Sequence, residues 1–204
     1  MPRLALSTVP PERADADLLV LPVAAGEDGP VAPPVTAAVL NRLGADLAAL
    51  AGAGRFTGKL DDVVLLPGYG ALAAPAVLLV GVGPDDGRDP ETLRRAAAVA
   101  VAAAGKAATL AVALHRAGDP PETALAAVAE GTLLAAYRFQ RHKSAPDPDL
   151  AAATLLVDGD RSLAAAEPVL HRAEVAARAT LAARDLVNEP ASRNNPATLA
   201  AEAV

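Results

Sequence analysis

Short, continuous apolar runs alternate with longer helical patterns along this chain, and that alternation restricts the possible folds more than any other feature. Apolar runs that stop at Gly or Pro are typical of strands buried in a sheet. The predicted strands cover residues 3–9, 18–23, 63–66, 76–82, 109–114 and 154–157. The predicted helices cover residues 35–51, 90–105, 120–137 and 167–187, and a last one follows residue 195. This spacing predicts an α/β domain with helices on both sheet faces and the first strand at an edge.

Residues that suit the first turn mark several helix starts. Asp89 and Asn195 each precede a proline, which is the arrangement of an N-cap followed by the first helical position. Asp119 and Glu122 have the spacing of a capping box. Pro168 is expected in the first turn of the helix at 167–187, where its missing N–H costs least.

The composition excludes several classes of protein. A chain of 204 residues is the size of one domain, or one domain with an appendage. The absence of cysteine excludes disulfides, thiolate zinc sites and a cysteine nucleophile. With 24 acidic and 18 basic residues the net charge is -6, which argues against broad binding to nucleic-acid phosphates. Aromatic residues make up only 2% and there are 53 alanines, so the core is expected to consist of Leu, Val and Ala.

No segment has the pattern of a membrane span or a secretion signal. The longest apolar run, residues 96–105, is well short of the ~20 residues that cross a bilayer. Near the start of the chain, residues 10–15 include two prolines and three charged side chains, which a signal peptide would not have. We therefore expect a cytoplasmic protein that does not contact membranes.

A glycine-rich segment lies between a predicted strand and a predicted helix, so a dinucleotide-binding loop has to be considered. It contains Gly81, Gly83 and Gly87. The third glycine falls one position late, Pro84 stiffens the segment, and two adjacent aspartates, Asp85 among them, would repel a pyrophosphate. We interpret the segment as a strand-to-helix turn.

The chain shows no spacing typical of metal ligands or catalytic groups. Its histidines are His115, His142 and His171. They are far apart and none belongs to a ligand-spaced pair, so we interpret them as surface or helix residues. Acidic pairs at residues 61–62, 85–86 and 158–160 are explained as turns. We predict no catalytic, cofactor-binding or metal-binding residue in the chain.

Residues 137–144 combine two of the four aromatic side chains with three of the 18 basic ones. Interleaved aromatic and basic residues can bind single-stranded nucleic acid. They also suit a helix end whose cations complement the helix dipole while the rings pack inward. A contact surface for other protein parts is a third interpretation.

Four segments, in order, resemble the leucyl aminopeptidases, also called cytosol aminopeptidases. Residues 181–191, Leu-Ala-Ala-Arg-Asp-Leu-Val-Asn-Glu-Pro-Ala, are similar to the junction between that family's N-terminal and catalytic domains. Residues 130–144 are similar to its Glu-Gly-x-x-Leu-x-x-Tyr-Arg-Phe-x-x-Tyr-Lys-Ser segment. Residues 56–59, Phe-Thr-Gly-Lys, and 77–83, Val-Leu-Leu-Val-Gly-Val-Gly, resemble two segments nearer the start.

The resemblance implies a three-layer α/β/α fold with a mixed, mostly parallel sheet and a topology similar to macro domains. It divides the chain into an N-terminal domain (1–166), a connector helix (167–190) and the start of an absent catalytic domain (191–204). Leu181, Leu186 and Val187 are expected to dock the connector. In the family, two divalent metal ions (manganese, zinc or magnesium) and the catalytic residues all belong to the C-terminal domain, which hydrolyses the first peptide bond of its substrates. No such residue is carried over to this chain.

The leading hypothesis is therefore the non-catalytic N-terminal domain of a leucyl aminopeptidase-like metallopeptidase. The resemblance implies its own catalytic domain and further copies, in a hexamer, as partners, with peptides as substrates of the parent enzyme. The domain would help assembly and shape access to the active sites, and the chain alone would be inactive. One alternative is a macro-domain-like module that binds a nucleotide or ADP-ribose, by fold analogy. Another is accessory DNA binding, against which the net charge of -6 argues.

Overall fold

The computed structural model describes residues 1–52, 56–84 and 89–202 as strands, helices and their connections. The strands are β1 (Arg3–Ser7), β2 (Leu18–Gly26), β3 (Gly29–Val31), β4 (Val63–Pro67), β5 (Ala76–Pro84), β6 (Thr109–Val112) and β7 (Ala152–Leu156). The helices are α1 (Pro34–Leu43), α2 (Leu47–Gly52), α3 (Pro90–Ala103), α4 (Pro121–Ala135), α5 (Gly159–Asn188) and α6 (Pro196–Glu202). Single 3-10 turns lie at Pro11–Arg13 and Leu114–Ala117.

The strands form one mixed sheet in the order β1-β7-β6-β2-β5-β4, with β3 paired to the end of β2. Four neighbouring pairs are parallel: β1 with β7, β7 with β6, β6 with β2, and β2 with β5. β4 runs antiparallel to β5, and β3 antiparallel to β2. The predicted edge position of the first strand is confirmed, while β3 was not predicted because its three residues have no apolar pattern.

Helices cover both faces of this sheet, as the sequence predicts. Leu18 and Val20 of β2 pack into the larger apolar cluster together with α3, α4 and α5. Leu19 and Leu21 point to the opposite face and pack with α1 and Phe56. This alternation, two residues on each face, is the period of a strand buried from both sides. The three-layer α/β/α architecture is confirmed.

Two of the segments that carry the family resemblance meet at one end of β5. The amide of Gly83 donates to the carbonyl of Gly58 at 3.0 Å, and the amide of Gly81 donates to the carbonyl of Asp62 at 2.8 Å. A Cβ at Gly81 would collide with the carbonyl oxygen of Lys59, and one at Gly58 with that of Ala24. Glycine is needed at these positions because two backbone segments come within contact distance.

Several predicted element bounds are wrong by a few residues. The helix predicted at 35–51 is split into α1 and α2 by Gly44, whose φ of 64° is left-handed and ends a helix. The strand predicted at 109–114 ends at Val112 because the chain turns into a 3-10 helix at Leu114. α4 ends at Ala135 rather than at Tyr137, and its N-cap position is Pro120, so the predicted capping box is not formed.

Other helix starts follow the prediction. The Asp89 carboxylate accepts a hydrogen bond from the amide of Glu91 at 3.1 Å. The Asn195 side chain likewise accepts from the amides of Ala197 and Thr198, each at 3.1 Å. Both residues therefore cap the helices that they precede, because a short polar side chain can satisfy free first-turn amides.

The last long helix starts earlier than predicted. α5 begins at Gly159, not at Glu167, and Pro168 lies in its interior rather than in its first turn. Pro168 and Ala164 are both exposed, so water can satisfy the carbonyl that the proline leaves without a donor. A buried stripe that holds α5 against the domain continues across this point at Ala166, Val169, Leu170, Ala173, Ala177 and Leu181.

Part of the glycine-rich segment, Asp85 to Gly87, lies outside the described residues, so the interpretation as a turn stays a prediction. The other part, Gly81 to Pro84, belongs to β5. Among the helices that the structure describes, none combines the length and hydropathy needed to cross a membrane.

Candidate functional site

A cavity of about 570 Å³ opens at the carboxyl ends of β6 and β7. Much of its lining comes from the first turns of three helices: Pro34 and Val35 of α1, Pro121, Glu122 and Leu125 of α4, and Arg161, Ser162, Ala165 and Ala166 of α5. Carboxyl ends of parallel strands lie at one sheet edge, so the loops that follow β6 and β7 converge here. The volume is within the range of small-molecule sites.

Charged side chains ring the cavity. Arg116 follows β6 and forms an ion pair with Asp158, the residue after β7, at 2.5 Å. Glu122 and Arg161 also line the cavity. Since Asp158 occupies the N-cap position of α5 without capping it, the first amides of that helix have no side-chain acceptor from this residue.

His115 lies at the inner side of this cavity and is buried, with 6% of its surface exposed. The sequence interpretation was a surface or helix residue: His115 does lie in the 3-10 helix Leu114–Ala117, but it is not on the surface. The reason is that Leu114–Ala117 follows β6 directly and packs beneath α4. Burial lowers the pKa of His115 to about 4, and the nearby Arg116 guanidinium adds to this, while the Leu156 backbone and Asp158 favour the charged form. The ring is neutral at physiological pH.

Neither ring nitrogen of His115 has a hydrogen-bond partner of ordinary geometry among the described residues. The Leu156 backbone lies near enough to affect the pKa of the ring, but the contact does not meet hydrogen-bond geometry. Buried polar side chains are nearly always hydrogen-bonded, so this ring is exceptional.

Within the part of the chain that the structure describes, which leaves out the acidic pair at 85–86, the remaining histidines and acidic pairs do not assemble into a metal site. His171 is exposed on α5, and Nε2 of His142 lies 2.9 Å from the Glu189 carboxylate. Across residues 1–52, 56–84 and 89–202 there is no group of three or more His, Asp or Glu side chains placed to hold a metal ion. The residues described here therefore do not fit the metal centre that the resemblance implies for the parent enzyme, and none is assigned to it.

A second site joins residues 137–144 to the end of α5, and we call it the connector contact. The Tyr137 hydroxyl donates to Asp185 at 2.7 Å and accepts from Asn188 at 3.1 Å. The Arg184 guanidinium lies 5.7 Å from the Tyr137 ring centre and donates to the carbonyl of Leu134 at 2.9 Å. Two further segments of the family resemblance thus touch each other here.

Three side chains of residues 137–144, those of Arg141, His142 and Lys143, pair with carboxylates in the same chain. Arg141 and His142 both contact Glu189, at 3.0 and 2.9 Å. Lys143 forms an ion pair with Asp147 at 2.6 Å, and this bond lowers the pKa of Asp147. These pairs give Arg141 and Lys143 acidic partners without phosphate.

The expectation for the connector docking residues is only partly met. Leu181 is buried and Leu186 is half-buried, but Val187 is 84% exposed. A helix turns about 100° per residue, so Val187 lies well away from the stripe that ends at Leu181. Val187 does not dock the connector in this structure.

Comparison with known structures defines the class of this domain. The tomato leucine aminopeptidase aligns with 100% of this chain and 41% of its own, at 24% identity and a TM-score of 0.79. The bottromycin maturation enzyme BotP covers 92% of this chain and 36% of its own, at 29% identity and a TM-score of 0.71. A Trypanosoma brucei macrodomain, solved with ADP-ribose, covers 81% and 68%, at 19% identity and a TM-score of 0.57. The domain is therefore a macrodomain-like α/β fold.

The sequence comparisons identify the family. The model of the cytosol aminopeptidase family, N-terminal domain, matches residues 20–146. A probable cytosol aminopeptidase of Micrococcus luteus is 41% identical over 93% of this chain and 38% of its own length. One of Streptomyces coelicolor is 36% identical over 100% of this chain and 43% of its own length. The chain belongs to the cytosol aminopeptidase family and matches the N-terminal part of these relatives, spanning about two fifths of their length.

Proposed function

We propose that this chain is the non-catalytic N-terminal domain of a metallo-aminopeptidase that removes amino acids from the N-termini of peptides. The observation that carries the proposal is the connector contact, because it fixes the direction in which α5 leaves the domain. Tyr137 and Arg141 hold α5 through Asp185 and Glu189, the residues just before the chain turns towards α6. A catalytic domain that follows α5 would thereby be held in a defined orientation.

The division of the chain follows from this proposal. The N-terminal domain comprises residues 1–166, the connector 167–190 and the start of the catalytic domain 191–204. α5 is continuous across residue 166, so the connector is an extension of the domain's own last helix. A continuous helix transmits orientation better than a flexible linker would.

We propose that the metal ions, manganese or zinc, are bound by the catalytic domain and not by this chain. One of the structural relatives, BotP, was solved in complex with Mn at 28% identity. The metals would supply the activated water that attacks the peptide bond. Cytoplasmic location and hexamer assembly are part of the same proposal, and the name of the relatives as cytosol aminopeptidases supports the first.

Nucleotide binding and DNA binding are less well supported as the main function. The macrodomain likeness has 19% identity and shows the fold alone. DNA binding would need accessible cations, yet Arg141 and Lys143 are paired with Glu189 and Asp147.

A chimera tests the proposed role directly. This chain would be fused, after Asn195, to the remaining C-terminal part of the Micrococcus luteus relative, and the C-terminal part alone would be the matched control. Both would be assayed with leucine p-nitroanilide and manganese, and their mass determined by analytical ultracentrifugation. We expect the chimera to form a hexamer and to hydrolyse the substrate. The C-terminal part alone should assemble less well and have lower activity.

Equal assembly and activity of the two proteins would contradict a role in assembly or access. The 204-residue chain alone would be assayed in parallel with excess manganese or zinc. We expect no turnover above a boiled sample, and turnover would show that this chain itself contains a peptidase site.

A further inference from the structure

The cavity beside His115 lies where the chain connections of neighbouring strands diverge. β2 and β6 are adjacent and parallel, but β2 leads to α1 on one face of the sheet, whereas β6 leads to α4 on the other. In open parallel sheets, ligands bind in the crevice at the carboxyl ends of the strands at such a point. We propose that this cavity binds a nucleoside phosphate, with the base against its apolar wall and the phosphate near Arg116 and Arg161.

The apolar part of the cavity suits a flat ring. Val35 comes from α1, Leu125 from α4, and Ala165 and Ala166 from α5, so each of the three helices contributes apolar side chains to the lining. The small alanine side chains leave room between the walls, and the volume of about 570 Å³ is within the range of small-molecule sites. A mainly apolar surface beside a smaller polar part is typical of pockets that enclose an organic ligand.

The polar part favours an anion. The lining includes two arginines and two carboxylates, Asp158 and Glu122, so the side-chain charges balance. The N-termini of α4 and α5 both open at the cavity, and neither N-cap side chain accepts a hydrogen bond from its helix. Because a helix N-terminus is the positive end of the dipole and has free amides, these two ends shift the balance towards a bound phosphate.

His115 supplies an independent indication of a ligand. It is a buried side chain at the cavity whose two nitrogens have no partner among the described residues. A neutral imidazole donates through one nitrogen and accepts through the other, which suits a ribose hydroxyl or a base edge. Both nitrogens are closed to solvent in this structure, so our proposal includes a reorientation of the His115 ring when the ligand binds.

This inference does not depend on the proposed role in the aminopeptidase, and the test uses the 204-residue chain. ADP would be titrated into it by isothermal titration calorimetry, with adenosine and inorganic phosphate as separate arms. Ala165→Trp fills the cavity from an exposed position, and Arg161→Ala removes an exposed cation. Arg178→Ala, an exposed change further along α5, is the matched control, and circular dichroism would confirm that each variant is folded.

We expect saturable ADP binding that Ala165→Trp abolishes, that Arg161→Ala weakens by about tenfold, and that Arg178→Ala leaves unchanged. Adenosine and phosphate alone should each bind more weakly than ADP. The proposal is overturned if ADP at about 1 mM gives no binding, if adenosine binds as well as ADP, or if binding persists unchanged in both cavity variants. If Ala165→Trp does not fold, the ADP affinities of Arg161→Ala and Arg178→Ala test the proposal by themselves, and equal affinities would overturn it.

Discussion

The hydroxyl of Tyr137 donates a hydrogen bond of 2.7 Å to the carboxylate of Asp185, across 48 positions of the chain. Burial raises the pKa of Tyr137, and the hydrogen bond to Asp185 raises it further, so the phenol stays protonated and remains a donor. Through this bond, the segment after α4 holds the last turns of α5. The two segments resemble the same family at the level of sequence, and the structure shows that they are in contact.

Replacing Tyr137 with Phe removes this hydroxyl and leaves the ring in place. We expect the free energy of unfolding to fall by about 0.5–1.5 kcal/mol, the usual net value of one hydrogen bond. Urea denaturation would measure the change. Tyr69→Phe is the matched control because the Tyr69 side chain is 85% exposed, and it should have no effect. Equal effects of the two substitutions would show that the bond to Asp185 does not hold the connector.

The docking of α5 predicts a sharp contrast between two apolar residues near its end. Leu181→Ala empties a buried position in contact with the domain and should cost roughly 2–5 kcal/mol. Val187→Ala changes a residue that is 84% exposed and should cost less than about 0.5 kcal/mol. Chemical denaturation of both variants tests the contrast. A change below about 0.5 kcal/mol for Leu181→Ala would show that this helix face is exposed in solution.

The contact between α3 and α4 depends on the lack of a side chain at Gly131. A Cβ there would clash with the carbonyl oxygen of Arg94 and lie 3.0 Å from the Cβ of Ala97. Gly131→Ala is therefore expected to cost about 1–3 kcal/mol, because the helices must separate, even though Ala is the better helix former. Thermal melting would measure it.

Gly52→Ala is the control for this prediction, since Gly52 also lies in a helix but a Cβ there meets nothing within 4 Å. It should leave the stability unchanged or raise it by up to about 1 kcal/mol. Stabilisation by both substitutions would mean that α3 and α4 are not as closely packed as described.

The buried His115 makes stability depend on pH. Its pKa falls from 6.5 to about 4 on folding, chiefly through burial. Between these values the unfolded chain binds a proton at this ring and the folded chain does not, so the free energy of unfolding decreases as the pH falls from 6.5 towards 4. The loss contributed by this residue is up to about 3 kcal/mol.

Urea denaturation at pH 7 and pH 5 would measure this loss. In His115→Gln the decrease between the two pH values should be smaller than in the wild type, while His171→Gln, at an exposed position, should leave it unaltered. An identical decrease in His115→Gln and the wild type would show that the ring is not buried in its neutral form.

The basic segment is predicted not to bind DNA. Arg141 and Lys143 are paired with carboxylates, and the segment follows the negative end of the α4 dipole, which explains its cations without phosphate. Single- and double-stranded DNA would be titrated at low and at physiological salt, with the Arg138→Ala/Arg141→Ala/Lys143→Ala variant alongside. Micromolar, salt-sensitive binding that the variant loses would overturn the prediction, because counterion release makes phosphate binding depend steeply on salt.

Local sequence signals predict those parts of the fold that depend on neighbouring residues. The apolar run at 18–23 marked β2 because a strand buried on both faces needs apolar side chains at every position. Asp89 and Asn195 marked helix starts because capping involves only the next three residues. Gly44 and Pro168 show where such local signals fail. Gly44 ends α1 inside a segment that was predicted as one helix, whereas Pro168 lies inside α5 without ending it.

The candidate sites are harder to predict from the sequence, because their residues are far apart in the chain. The family resemblance marked residues 130–144 and 181–191 as two separate segments, but nothing in either one predicts that Tyr137 pairs with Asp185. The cavity residues, such as Arg116 and Arg161, come from separate loops with no motif. That several loops converge at one edge of the sheet can be recognised only when the strand order is known.

The sequence by itself determined the α/β class, the order of the main strands and helices, and the family. Those properties follow from local periodicity, capping and four short segments that resemble known ones. The tertiary structure decided the strand order, the burial of His115 beside a cavity and the exposure of Val187. These depend on which distant segments pack together, and a residue's surroundings are set by that packing rather than by its neighbours in the chain.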